Sequence, residues 1–188
     1  MRSESVIVAI TGATGVLYGI RLLECLRDLD VSSELVMSKW AEKTIRIETE
    51  YTVDEVKKLA SRTHNAENQA APISSGSYQT AGMVIVPCSM HTLACISAGT
   101  GHNLIHRAAD VTIKERRRLV LITRETPLSP IHLEHMLRLS RLGATIMPPM
   151  VAHYIKPKTV DDEVNHFVAR ILDQFGIDTP TTKRWGRR

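Results

Sequence analysis

The sequence predicts a single-domain α/β fold: a three-layer sandwich in which a parallel sheet is flanked by helices on both faces. Two observations predict it. Short β-branched apolar runs alternate along the chain with segments whose apolar residues recur at three and four. Most of those runs end in a turn rich in Gly, Ser or Pro that opens directly into the next helix, as parallel strands joined by helical crossovers require. Residues 5–10 (SVIVAI) stop at Thr11-Gly12-Ala13-Thr14-Gly15, and Val16, Leu17, Ile20, Leu23 and Leu26 then follow helical spacing. A second strand is expected at 34–37, with Ser38 opening a helix through Trp40, Ile45 and Ile47. Thr52 and Glu55 have the form of a capping box ahead of a short helix through Leu59. Residues 64–80 are polar and aperiodic and read as a loop, not as a domain boundary. Strands are expected at 83–86, 119–123 and 144–147, and helices from Pro87-Cys88-Ser89-Met90-His91-Thr92 to Ala98, over 104–117 and over 131–142. Thr159 caps a last helix through Val164, Phe167, Val168, Ile171 and Phe175.

Composition bounds the function. The chain has 188 residues, which at roughly 150 per domain means one domain with a substantial core. Hydrophobic residues make up 43% and charged residues 23%, which excludes wholesale disorder. The longest apolar stretches fall far short of the roughly 20 residues of a bilayer span, and the apolar N-terminal run is too short for a secretory signal. A cytoplasmic location without membrane attachment is therefore expected. Three cysteines (Cys25, Cys88, Cys95) cannot all pair and form no CxxC, so reduced thiols are expected. The net charge is +4, and the tail residues Lys183, Arg184, Arg187 and Arg188 supply four positive charges by themselves. The balanced remainder argues against a nucleic-acid surface and leaves room for a local anion site.

In such a sheet, ligands bind beyond the carboxyl ends of the strands. The turns there read Gly12-Ala13-Thr14-Gly15, Ser38-Lys39, Ser89-Met90-His91-Thr92, Arg124-Glu125-Thr126-Pro127 and Pro148-Pro149 leading on to Tyr154. Hydroxyls, cations and helix-start N–H groups suit a phosphorylated ligand. The glycine spacing is G-x-x-G-x-x-x-G, and no acidic residue closes the second strand at Ser38, so a mononucleotide fits better than NAD; a tight turn without a ligand would use the same glycines. Ser89 to Thr92 serve equally as a simple cap. Arg124-Glu125 joins a cation suited to phosphate with a carboxylate suited to proton transfer, or forms a surface ion pair. His132 and His135 read as helix surface, not as a metal site.

Six stretches taken together carry a resemblance. They are Ile10-Thr11-Gly12-Ala13-Thr14-Gly15, Pro87 to Ala94, Arg107-Ala108-Ala109-Asp110-Val111, Lys114-Glu115-Arg116-Arg117, Arg124-Glu125-Thr126-Pro127-Leu128, and Pro148-Pro149 with Tyr154 and Pro157. In this order, along nearly the whole chain, they resemble the UbiX-type flavin prenyltransferases, formerly described as aromatic-acid decarboxylases. The resemblance implies a Rossmann-like (flavodoxin-like) sandwich, an FMN-binding domain over 1–178 and a basic C-terminal tail over 179–188. It implies metal-free transfer of dimethylallyl from dimethylallyl phosphate to N5 and C6 of reduced FMN. The product, prenylated FMN, would go to a UbiD-type decarboxylase, and the chain would form a homo-oligomer of trimers assembled to a dodecamer. Gly12, Ala13, Thr14, Ser38, Ser89, Met90, His91, Thr92, Arg107 and Arg124 would bind FMN. Lys114, Arg124, Tyr154 and Arg170 would hold the prenyl phosphate, with Trp185 as the family's C-terminal tryptophan, while Thr14, Glu48, Lys114 and Glu125 would be catalytic. The chain departs from the family at Thr14 (usually Ser), His91 (usually Lys), Arg118 (usually Pro) and His153 (usually aromatic). The competing readings are an FMN-dependent cysteine-type decarboxylase and a flavin carrier without turnover.

Overall fold

A computed structural model describes residues 5–179 and 184–186. Among them, six strands form one wholly parallel sheet, in the order β3-β2-β1-β4-β5-β6. The strands are β1 (Val6–Ile10), β2 (Ser33–Met37), β3 (Arg62–Asn65), β4 (Gly82–Cys88), β5 (Arg118–Thr123) and β6 (Thr145–Ile146). Seven helices accompany them: α1 (Val16–Asp28), α2 (Lys39–Glu48), α3 (Val53–Leu59), α4 (Met90–Ala98), α5 (Leu104–Lys114), α6 (Pro130–Arg141) and α7 (Val160–Asp173).

The pleat of the sheet divides the apolar residues between two layers. Val6, Val8 and Ile10 of β1 join Val84 and Val86 of β4 against α1, α3 and α7, while Ile7, Ala9, Met83 and Ile85 face α4, α5 and α6. Burial on both faces is why the inner strands read as unbroken apolar runs.

Two expectations needed correction. Residues 64–80 are not all loop, because β3 pairs with β2 from Arg62 to Asn65. This strand is at the sheet edge and is mostly exposed, so it carries no apolar pattern to read. The helix expected to run to Arg117 stops at Lys114, where Arg116 takes a left-handed conformation (φ 55°) and the Arg117 N–H donates back to the Thr112 carbonyl.

The topology fixes where a ligand binds. From β1 the chain moves outward through β2 and β3, returns to β4 on the other side of β1, and continues outward through β5 and β6. The crevice at this reversal opens between the carboxyl ends of β1 and β4. No helix among the described residues is long and apolar enough to cross a membrane. Of the tail cations, Lys183, Arg187 and Arg188 lie outside the described residues.

Gly82 opens the central strand β4 at φ +137°, and a β-carbon there would sit 2.3 Å from the Arg118 carbonyl oxygen of the neighbouring strand. Replacing it costs both backbone strain and a backbone clash. Gly82→Ala is therefore expected to lower unfolding stability by about 2–4 kcal/mol, read by urea denaturation at fixed protein concentration. An unchanged midpoint would mean that β4 and β5 separate at this end without cost.

Candidate active site

The two turns that flank the crevice are tied together by Thr11. Its buried hydroxyl donates to the Pro87 carbonyl at 2.8 Å and accepts from the Ser89 N–H at 2.9 Å, and its own N–H donates to the Pro87 carbonyl at 3.2 Å. The glycine turn after β1 and the start of α4 are thus held as one unit. The ends of the flanking strands join it: Ser38 N–H donates to the Ile10 carbonyl at 3.0 Å, and Arg124 N–H to the Cys88 carbonyl at 3.4 Å.

Two helix starts face this edge and are treated differently. At α4, Ser89 is the N-cap: its oxygen accepts from the Thr92 N–H at 3.3 Å, its hydroxyl donates to that of Thr92, and the first turn holds no acidic residue. At α1, the N-cap is Gly15 in a left-handed conformation (φ 95°), which offers no side chain to the first amides. The Glu48 carboxylate supplies the missing acceptor, taking the N–H of Gly15 at 2.8 Å and of Val16 at 3.2 Å, and it also takes the Thr14 hydroxyl.

Glu48 reaches α1 because α2 lies across the strand ends. Ser38 caps its start by accepting from the Ala41 N–H at 3.1 Å. Trp40, in its first turn, rests on Gly12, where a β-carbon would lie 2.3 Å from that of Trp40, and Glu48, at its last residue, touches Thr14 to Val16. Both ends of the helix therefore meet the same turn. Glu50, two residues on, lines a different cleft with Glu42, Arg46 and Lys57.

A second group lies at the end of α7. Tyr18 packs edge-on against Phe167, and Arg21 reaches Asp161 at 3.4 Å and also Asn165, so α1 and α7 run antiparallel. The C-terminus of α7 therefore returns to the level of the glycine turn. There Tyr154 shares a hydrogen bond with His166 Nε2 at 3.2 Å and meets the Trp185 ring edge-on at 5.4 Å. Arg170 donates to Asp173 at 2.8 Å, and Arg184 grips the same carboxylate through both of its oxygens. The Arg184 hydrogen bonds, followed by the charge of Arg170, hold the Asp173 carboxyl below its ordinary range. Burial, then the Arg170 charge, pushes the His166 pKa down.

Arg107 and Lys114 stand apart from both groups. Arg107 donates to the Ser74 carbonyl at 3.1 Å and to Asp110 at 2.9 Å, while Lys114 pairs with Glu115 beside Gly76. Because α5 leads into β5, Lys114 lies where the strands begin, and Arg124 lies where they end. The six residues of β5 separate them by roughly 20 Å. One chain thus brings Gly12, Ala13, Thr14, Ser38, Glu48, Ser89 to Thr92 and Arg124 to one edge. It sets Tyr154, Arg170 and Trp185 on the flank of that edge and leaves Lys114 outside it, while Arg107 lies in the first turn of α5, whose Leu104 N–H donates to the Ala66 carbonyl just past β3. Glu125 is exposed and bonds locally to the Thr126 N–H at 3.2 Å.

Other thiols and hydroxyls add to this account. Burial pushes the Cys88 thiol up to about 12, so it is an inert core group and not a nucleophile. Sequence reasoning gave Thr11 no positioning role and counted Arg184 only as a tail charge. The T-G pair after a strand was a usable signal for the first, and none existed for the second. It also passed over Thr123, whose buried hydroxyl at the carboxyl end of β5 has no hydrogen-bond partner among the described residues.

Comparison with known proteins agrees with this architecture. A family model described as Flavoprotein matches residues 1–172. A curated relative from Streptomyces sp. (strain D7), named a probable UbiX-like flavin prenyltransferase, is 58% identical over 180 residues, which is 95% of this chain and 90% of the relative. The crystal structure of AnUbiX in complex with FMN and dimethylallyl pyrophosphate superposes with a TM-score of 0.98 at 52% identity, covering 100% of both chains. That of a dodecameric FMN-dependent UbiX-like decarboxylase from Escherichia coli O157:H7 gives 0.95 at 55% identity, covering 97% of this chain and 100% of the other. The chain belongs to the flavoprotein family and, within it, to the UbiX-like flavin prenyltransferases.

Proposed function

We propose that the chain transfers a dimethylallyl group from dimethylallyl phosphate to reduced FMN, bonding at N5 and C6, and releases prenylated FMN to a UbiD-type decarboxylase. The observation that carries this reading is the Thr14–Glu48 pair, a hydroxyl and a carboxylate fixed together at the crevice. The donor set also fits FMN. The start of α4 presents hydroxyls and N–H groups without an opposing carboxylate, and Arg124 adds a cation beside it. The unpartnered Thr123 hydroxyl is a buried polar group of the kind a ligand satisfies.

Bound reduced FMN supplies the nucleophilic nitrogen and ring carbon. The phosphate of FMN is assigned to Ser89, Met90, His91, Thr92 and Arg124, and its ring to the Gly12-Ala13-Thr14 backbone and Ser38. Thr14, whose hydroxyl donates to Glu48, would accept the N5 proton of bound flavin as its own proton passes to the Glu48 carboxylate. Dimethylallyl phosphate loses its phosphate only when the departing charge is neutralised. Tyr154 from the turn ahead of α7, Arg170 from the last turn of α7, Arg124, and Lys114 with Arg107 are assigned to that task, with Glu125 beside them and Trp185 as an apolar wall. These cations take the part that a metal plays in other prenyl transfers.

Lys114 reaches the strand-end edge only from another copy of the chain. The proposed assembly is accordingly a homo-oligomer of trimers forming a dodecamer, with each site at a contact between copies. Its proposed location is the cytoplasm. The FMN-binding unit is assigned to 1–178, and the basic tail to 179–188.

Two experiments test this reading. Glu48→Gln is expected to keep FMN bound while lowering the yield of prenylated flavin about 100-fold or more, measured by anaerobic single-turnover absorbance and mass after adding dimethylallyl phosphate. Full turnover in that variant would remove Glu48 from the mechanism. Lys114→Ala and Arg124→Ala are each expected to be inactive alone. Dissociated and reassembled together at random, they should regain about a quarter of wild-type sites, because half of each partner's contributions are intact. No recovery would show that Lys114 does not act across a subunit contact.

A further inference from the structure

On the opposite layer from α1 and α7, three side chains with metal-binding atoms converge. His91 and Cys95 lie one turn apart on α4, and His106 comes from the first turn of α5, which the short 99–103 loop folds back against α4. One ligand atom from each lies within 4.8 Å of the others, and Cys95 Sγ is 3.8 Å from His91 Nε2. A tetrahedral ion with bonds of roughly 2.0–2.1 Å to nitrogen and 2.3 Å to sulfur holds its ligand atoms about 3.3–3.6 Å apart, so a closing movement of at most about 1.5 Å completes the set. We propose that His91, Cys95 and His106 form a binding site for a borderline-soft transition-metal ion, of which Zn2+ is the best match.

Chemistry and setting both favour this. Two imidazoles and one thiolate are the donor types that select zinc over calcium or magnesium. His106 is buried (3% exposed) and Cys95 nearly so (8%), which orders two ligands before the ion arrives, while His91 is exposed and supplies the adjustable third. The His102 N–H that meets His106 Nδ1 at 3.4 Å is a long contact, weak enough for a metal bond to replace. A cleft of about 250 Å³, lined by Cys95, Gly99, Thr100, Gly101, His106 and Arg107, gives access and leaves room for a fourth ligand from water. The Arg107 guanidinium that lines it is paired with Asp110, which tempers its charge towards an incoming cation. On binding, the Cys95 thiol gives its proton to solvent and its sulfur lone pair to the ion; nothing is oxidised or reduced.

The site needs neither flavin nor turnover for its readout. The full-length protein, stripped with a chelator and freed of flavin, is titrated with Co2+ as a spectroscopic substitute and with Zn2+ in competition. One equivalent should bind, with a thiolate-to-cobalt charge-transfer band and the intense visible bands of tetrahedral cobalt. Cys95→Ser should abolish the charge-transfer band, and His91→Ala, which alters an exposed side chain and leaves the core intact, should weaken Zn2+ binding at least about tenfold. His135→Ala, whose imidazole bonds to Ser97 outside the cluster, should bind as the wild type does. Uptake without saturation at one equivalent, a cobalt spectrum unchanged in Cys95→Ser, or affinity untouched by His91→Ala would each overturn the proposal.

Discussion

The carboxylate of Glu48 seated on the start of α1 is the contact on which the site geometry depends. Gly15 turns the chain from β1 into α1 in a left-handed conformation but brings no side chain to the amides that follow. Those amides and the positive end of the helix dipole attract an anion, and here the anion comes from 33 residues away. For Glu48 to arrive, α2 must lie across the strand ends, and for α2 to lie there, residue 12 must have no β-carbon beneath Trp40. Gly12 thus makes room for a helix, not for a ligand directly.

One consequence concerns which helix start receives a phosphate. Both α1 and α4 begin at the crevice, and either would attract an anion in isolation. At α1 the position is held by the Glu48 carboxylate, which repels a second negative charge. At α4 the cap is the neutral Ser89, no acid stands in the first turn, and the Arg124 backbone is tied alongside. The edge is therefore polarised, with a carboxylate on the β1 side and a neutral helix cap on the β4 side.

Much of this architecture was legible in the sequence because the inner strands are buried on both faces, which leaves runs such as VIVAI that no exposed segment would carry. The edge strand β3 reads RTHN and was missed, since an edge facing water has no apolar side to reveal. Local chemistry was legible too: Thr52 with Glu55 and Ser129 with Pro130 form the helix starts expected of them. Contacts between distant residues were not. The match of Glu48 to a family position named the residue, but only the crossing of α2 distinguishes it from Glu50, and the Asp173–Arg184 pair had no sequence signal at all. Which cations share one copy followed from a rule available in the sequence: a helix that feeds a parallel strand ends at that strand's beginning. Lys114 and Arg124, at opposite ends of β5, cannot meet within a single copy.

The same split explains the distribution of exposed apolar side chains. Trp40 (67% exposed), Ile47 (82%) and Trp185 (81%) surround the strand-end edge, and Leu128 follows directly on the Arg124-Glu125 turn. Large apolar groups clustered around a polar site are costly to leave in water and mark a surface that another body covers. A reaction that releases phosphate from an allylic carbon needs water kept out, and one chain alone leaves this edge open. A second copy laid over these groups would bury them, exclude water and deliver Lys114 in the same movement. Assembly and catalysis would then have one physical origin: the apolar rim that drives the contact also encloses the chemistry, and the missing cation arrives on the surface that closes it.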